Sequence, residues 1–164
     1  MANSGIVGKS KYKIIKELIK NPDIINAIGS NISASTPEQY INKHIFNYHQ
    51  NPFTIKEVMT YITIQIHIPR IEDKNKTFAK PTVEIWIISN ERHMNVDNVP
   101  KITMNRNDYL AELIDRQLNN RSGFGLGKLM LVSNVEGALQ NDYLYRRLIF
   151  ECTDLNPSLC EVED

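Results

Sequence analysis

Two runs of alternating apolar residues, one amphipathic helix and then two further strand-like runs narrow sharply what this chain can fold into. The runs are residues 58–68 (VMTYITIQIHI), 82–89 (TVEIWIIS), 128–135 (KLMLVSNV) and 143–152 (YLYRRLIFEC), with the helical stretch 105–120 (NRNDYLAELIDRQLNN) between the two pairs. Read in order, they give ββαββ. The expectation is an α+β fold: an antiparallel sheet of about four strands packed on one central helix, preceded by short N-terminal helices.

Period two sorts the strand residues into faces. In the first strand Ile62, Ile64, Ile66 and Ile68 share one face, and Tyr61, Thr63, Gln65 and His67 the other. In the second, Val83, Ile85 and Ile87 oppose Glu84, Trp86 and Ile88. The helix presents Leu110, Leu113, Ile114 and Leu118 toward the sheet and turns Arg106, Glu112, Asp115 and Arg116 to solvent. On the last strand Tyr143, Tyr145 and Arg147 share one face, and Arg146 interrupts Leu144, Leu148 and Phe150 on the other.

The first third of the chain is helical. Ser10 is read as the cap of a helix whose Ile14, Ile15, Leu18 and Ile19 form an apolar face, with Lys11, Lys13, Lys16 and Lys20 covering the remainder. Asn21-Pro22-Asp23 restarts a short helix that ends at Gly29, and Thr36-Pro37-Glu38-Gln39 carries the spacing of a capping box. The whole reads as a single domain: a helical segment over about 1–52, the sheet and its helix over 53–155, and a polar tail over 156–164.

Lys+Arg and Asp+Glu each number 19, so no net charge draws the chain toward nucleic acid, and near-zero charge favours self-association. No apolar stretch reaches membrane-spanning length and the N-terminus lacks the apolar segment of a secretory signal, which points to a cytoplasmic protein without a membrane partner. Cys152 and Cys160 have no ligand spacing and are read as a buried strand thiol and a tail thiol.

The residue patterns that could carry chemistry are few. The glycine-rich stretch 121–129 (RSGFGLGKL) has Ser122 and Leu129 where a phosphate loop needs Gly and Ser or Thr, and it precedes a strand rather than a helix, so it reads as a turn. Asp97-Asn98 with Lys101 faintly resembles the metal-binding helix start of phage-type Holliday-junction resolvases, but Asn95 replaces the first carboxylate, Pro100 breaks the helix and Asp108 begins another. His44, His49, His67 and His93 are scattered, and no metal or cofactor is expected. The Tyr and Arg residues of the last strand fit either a subunit interface or a sheet that stacks single-stranded RNA bases.

Residues 108–120 (DYLAELIDRQLNN), 127–137 (GKLMLVSNVEG) and 145–154 (YRRLIFECTD), in that order behind a long-armed strand pair, make residues 55–155 similar to the tail-terminator and head–tail joining proteins of tailed bacteriophages. The resemblance implies a structural protein without catalytic residues: a subunit of a ring, typically of six, assembled in the host cytoplasm and carried in the virion between the tail tube protein and the neck. Interface candidates fall in three places. Tyr61 and Trp86 sit on the second face of the first strand pair. Arg70, Ile71, Glu72, Asp73, Lys74, Lys76 and Phe78 lie in residues 69–81, read as a projecting arm that orders against another chain. Arg146 and Arg147 lie on the last strand. A metal-dependent nuclease and an RNA-binding sheet module remain the alternatives.

Overall fold

A computed structural model describes residues 3–29, 36–55, 57–68, 78–139, 142–152 and 154–155. The fold is α+β, with three helices and a mixed five-stranded sheet. Helices α1 (Asn3–Ile19) and α2 (Pro22–Ile28) come first, followed by strand β1 (Ile45–Phe46), β2 (Thr60–His67), β3 (Phe78–Ala79) and β4 (Thr82–Asn90). Helix α3 (Arg106–Leu118) then leads to β5 (Met130–Leu139), β6 (Tyr143–Glu151) and β7 (Asp154–Leu155). The strand order is β1-β2-β4-β6-β5, with β1 parallel to β2 and the other pairs antiparallel; β3 and β7 form a separate two-stranded ladder.

Two expectations about the sheet need correction. It has a fifth strand, since β1 pairs Ile45 with Ile62 and Phe46 with Thr63 in parallel, and a two-residue strand has no periodicity to announce it. Nor is the sheet covered by one helix. Residues of α1 and α2, among them Ile14, Leu18, Ile24 and Ile28, join Leu110, Ile114 and Leu118 of α3 in one core against Ile62, Ile64, Val83, Ile85, Ile87, Leu148 and Phe150. The N-terminal helices are therefore part of the layer that closes the sheet. Each fully buried Ile or Leu in it contributes about 1.5–3 kcal/mol relative to exposure.

Local chemistry explains the helix ends. Asn21 accepts from the Asp23 N–H at 3.0 Å with Pro22 just inside the helix, and Gly29 closes α2 at φ +64°. The Asn105 side chain accepts from the Asp108 N–H at 2.9 Å to start α3. Ser10 caps nothing: α1 begins seven residues earlier, at Asn3, and Ser10 is buried within it. Thr36 makes no side-chain cap bond; Pro37–Tyr40 is a short 3-10 turn. Lys11, expected on the solvated side of α1, lies toward the apolar face and reaches out to donate to the Asn47 carbonyl at 2.8 Å, and burial lowers its pKa.

Arg106 is the largest departure from the amphipathic reading of α3. It is buried, and its guanidinium donates to the carbonyls of His93, Ala27 and Asn95. One planar fork thus ties α3 to the last turn of α2 and to the segment after β4. Gly29 is needed for two reasons there: its positive φ, and the guanidinium that occupies the space a Cβ would fill.

The glycine-rich turn also contributes to the core. Leu129 N–H bonds the Arg121 carbonyl at 2.8 Å and Asn120 N–H bonds the Leu129 carbonyl at 2.7 Å, so that Phe124, Leu126 and Leu129 are buried. Cys152 is buried beside the Pro81 carbonyl, 3.2 Å away. Cys160 and the tail lie outside the described residues. Among the described residues no helix is long and apolar enough to cross a membrane.

Candidate assembly surface

The sheet face opposite the helices is built differently. At one end Tyr61, Ile88 and Tyr143 are buried together with Phe46, with Ile55 and Met59 packed on them. Edge-to-face contacts run from Phe46 to Tyr61 at 6.0 Å and from Tyr61 to Tyr143 at 6.1 Å. Tyr143 donates from its hydroxyl to the Glu57 carbonyl at 2.9 Å. The Tyr61 hydroxyl has no hydrogen-bond partner in its buried position, and burial raises its pKa far above the ordinary range.

Toward the other end the cover thins: among the described residues His49 still meets the Trp86 ring edge-on, with centroids 6.0 Å apart. Trp86 and Tyr145 lie with ring centroids 4.8 Å apart, and the Arg147 guanidinium sits 5.1 Å from the Trp86 ring centre. Arg147 donates through Nε and Nη2 to the two oxygens of Glu84, at 3.1 and 2.8 Å, while the Trp86 indole donates to the same carboxylate at 3.3 Å. Burial opposes ionisation of Glu84, but the bonds from Arg147 and Trp86 outweigh it and hold its pKa below the usual carboxylate value. His67 stands 3.7 Å from Glu84. The result is an aromatic and charged patch, half-buried and internally paired.

This patch continues onto β5, the outermost strand on its side of the sheet. Met130, Val132 and Val135 are 47%, 53% and 43% exposed. Val135 is paired across from Arg147, and Val132 sits at a bulge between Leu131 and Ser133. Gly137 lies opposite Tyr145, and a Cβ there would come 2.6 Å from the Tyr145 hydroxyl, so the ring lies flat over the glycine. The sequence of β5, MLVSNVEGAL, contains no Lys, Arg or Pro and a single acid. These are the residues that ordinarily stop an edge strand from recruiting another.

The predicted interface residues separate accordingly. Trp86 and Arg147 meet on the open patch. Tyr61 is buried by its own chain at 0% exposure, and Ile88 on the same face is also at 0%. Arg146 points to the helix side, where it pairs with Asp108, with Glu136 at 3.1 Å and with Asn134 at 3.3 Å. It lines a cleft of about 320 Å³ between the start of α3 and the β5–β6 hairpin. Arg70, Ile71, Glu72, Asp73, Lys74 and Lys76 lie outside the described residues, and Phe78 opens β3 opposite Leu155. The β5 edge was missed, although the absence of protective residues in 130–139 is visible in the sequence.

The other chemistries have these positions. In the segment before α3, Lys101 has φ +66° in a turn and Asn98 donates to the Asn26 carbonyl. No three His, Cys, Asp or Glu side chains converge as metal ligands among the described residues. The hydroxyls of Thr60 and Ser89 lie 2.8 Å apart, with His93 Nδ1 2.8 Å from Thr60 and Asn107 accepting from Ser89 at 2.6 Å. Both hydroxyls are wholly buried, so this network braces the sheet against α3 and is closed to a substrate.

A family model described as YomW matches residues 13–152, from within α1 to the residue after β6. No curated protein matches the chain.

Proposed function

The chain belongs to the YomW family, a phage-associated family, and from that premise we propose that it is a structural subunit of a phage particle, a ring-forming tail terminator or head–tail joining protein. The observation that carries the reading is the β5 edge. Ten residues of strand end the sheet with apolar side chains exposed, with Glu136 as the one charge and without a proline. Such an edge is a template for a neighbouring strand, and a ring of subunits is one arrangement that closes it. The adjoining Trp86–Tyr145–Arg147 patch supplies the aromatic and arginine side chains that interfaces favour. The tail tube and the neck are the partners that a ring of this kind would join.

Light scattering on the purified chain, with electron microscopy of the same sample, tests this. A closed oligomer is expected. Replacing Val132 and Val135 together by lysine should release monomers while shifting monomer stability by no more than about 0.5 kcal/mol per site, since both side chains are exposed. A wild-type chain that stays monomeric at high concentration, or lysine variants that assemble as before, would overturn the reading.

A further inference from the structure

A second surface lies on the opposite side of the molecule's chemistry, and the neutral total charge conceals it. Lys9, Lys13 and Lys16 on α1 and Lys20 just past its end are spaced four, three and four residues apart, which places them in one stripe along the helix. Over eleven residues that stripe runs about 16 Å. Beside it, a cleft of about 340 Å³ opens between α1 and the glycine-rich turn, lined by Tyr12, Lys13, Lys16, Lys20 and Arg121 together with one acid, Glu17. Three residues of the turn, Gly123, Gly125 and Gly127, have positive φ, and with no side chain on Gly123 the backbone there is open to a ligand.

The acids nearby do not neutralise this set. Glu17 is shared between Lys20 at 3.1 Å and Arg121 at 3.2 Å, and Glu38 lies 3.6 Å from Lys16. Neither Lys9 nor Lys13 pairs with a carboxylate among the described residues. Tyr12 stands in the middle of the stripe at 57% exposure, with the Lys16 ammonium 5.5 Å from its ring centre.

We propose that this cleft is a binding site for single-stranded nucleic acid, the lysine stripe and Arg121 holding successive phosphates and the Tyr12 ring stacking on a base. A row of ammonium groups alone would serve any polyanion. The exposed ring flanked by cations is what selects the single strand: an unpaired base offers a face to stack on, which a duplex keeps inside its own stack and an acidic peptide does not have. The site is independent of the β5 edge, and it revises the expectation, drawn from total charge, that nucleic acid is not a partner.

The test is fluorescence anisotropy of a labelled single-stranded oligonucleotide with the full chain, beginning near 50 mM salt. Binding to about three phosphates predicts that log affinity falls against log salt with a slope of about −2. Lys13→Glu should weaken binding about tenfold or more through charge reversal at the centre of the stripe, and Tyr12→Ala by about fivefold or more through loss of stacking. Both side chains are exposed, and unchanged thermal melting of the two variants would confirm that they fold. The proposal fails if no binding is seen at the lowest salt, or if Lys13→Glu binds as well as wild type. It fails equally if polyglutamate or duplex competes as effectively as the single strand.

Discussion

The two faces of the sheet are made by the same four long strands and yet differ in almost every physical respect. The helix-side face is aliphatic and covered by three helices, with isoleucine after isoleucine at zero exposure. The opposite face is aromatic and charged, buried at one end with Phe46, Ile55 and Met59 and half-open at the other. Burial of the first removes large apolar surface from water, and the polar groups on that side, Thr60, Ser89 and Arg146 among them, find partners within the chain. The second gains from pairing of ring, guanidinium and carboxylate, interactions that a neighbouring molecule could extend. Under the proposed reading, stability and association fall on separate sides of one sheet.

The strongest way to break this comparison is to change side-chain volume on both sides. Ile85→Ala, at the centre of the sheet beneath α3, should cost about 2–5 kcal/mol in denaturant unfolding. A loss of less than about 1 kcal/mol would mean that the helix layer does not carry the fold. On the other face, Gly137→Ala should cost only about 1 kcal/mol, because the new methyl displaces the movable end of Tyr145 instead of backbone. Trp86 is the sole tryptophan, so its emission should shift in this variant even when global stability hardly changes.

The smallest effect, and the one that sharpens the contrast most, comes from pH. Burial lowers the pKa of His44 and, with help from Arg106, of His93, both on the covered side near Thr60. A lowered histidine pKa means that the unfolded chain takes up the proton first. Their contribution is therefore complete above the ordinary histidine value of about 6.5 and declines as pH falls below it. Glu84 on the open face has a lowered carboxylate pKa, so its contribution with Arg147 persists until pH falls below about 4.5 and then declines. Urea midpoints should fall in two stages between pH 7 and pH 3. His44→Gln should flatten the first stage only, and Arg147→Met the second only; a single stage insensitive to both would erase the distinction.

Much of the covered face was legible because its residues repeat. Ile62, Ile64 and Ile66 against Val83, Ile85 and Ile87 is a period of two, and Leu110, Leu113, Ile114 and Leu118 a period of three to four; both survive in the structure as buried sets. What is not periodic was not legible. β1 is two residues long and pairs through hydrogen bonds to a strand fifteen residues onward, which leaves no local trace. Arg106 looks solvent-facing on a helical wheel, because its acceptors at Ala27, His93 and Asn95 belong to remote segments. Ile88 and Tyr61 were placed on the correct face, but the residues that pack on them include Phe46 and Ile55, and alternation says nothing about which segment folds over a sheet. The lysines of the first helix are plain in the sequence, but the cleft they form with Arg121 is not, because residues remote in the sequence meet there.

The guanidinium of Arg106 sets the smallest piece of this chain that can stand alone. Cutting away α2 would remove the Ala27 carbonyl and leave a permanently charged group short of an acceptor in the interior, where a stranded cation is among the most expensive losses a fold can incur. Trimming to the sheet and its nearest helix, the boundary that the strand pattern alone suggests, would therefore yield an insoluble fragment rather than a compact one. The autonomous unit has to begin within the first helical hairpin.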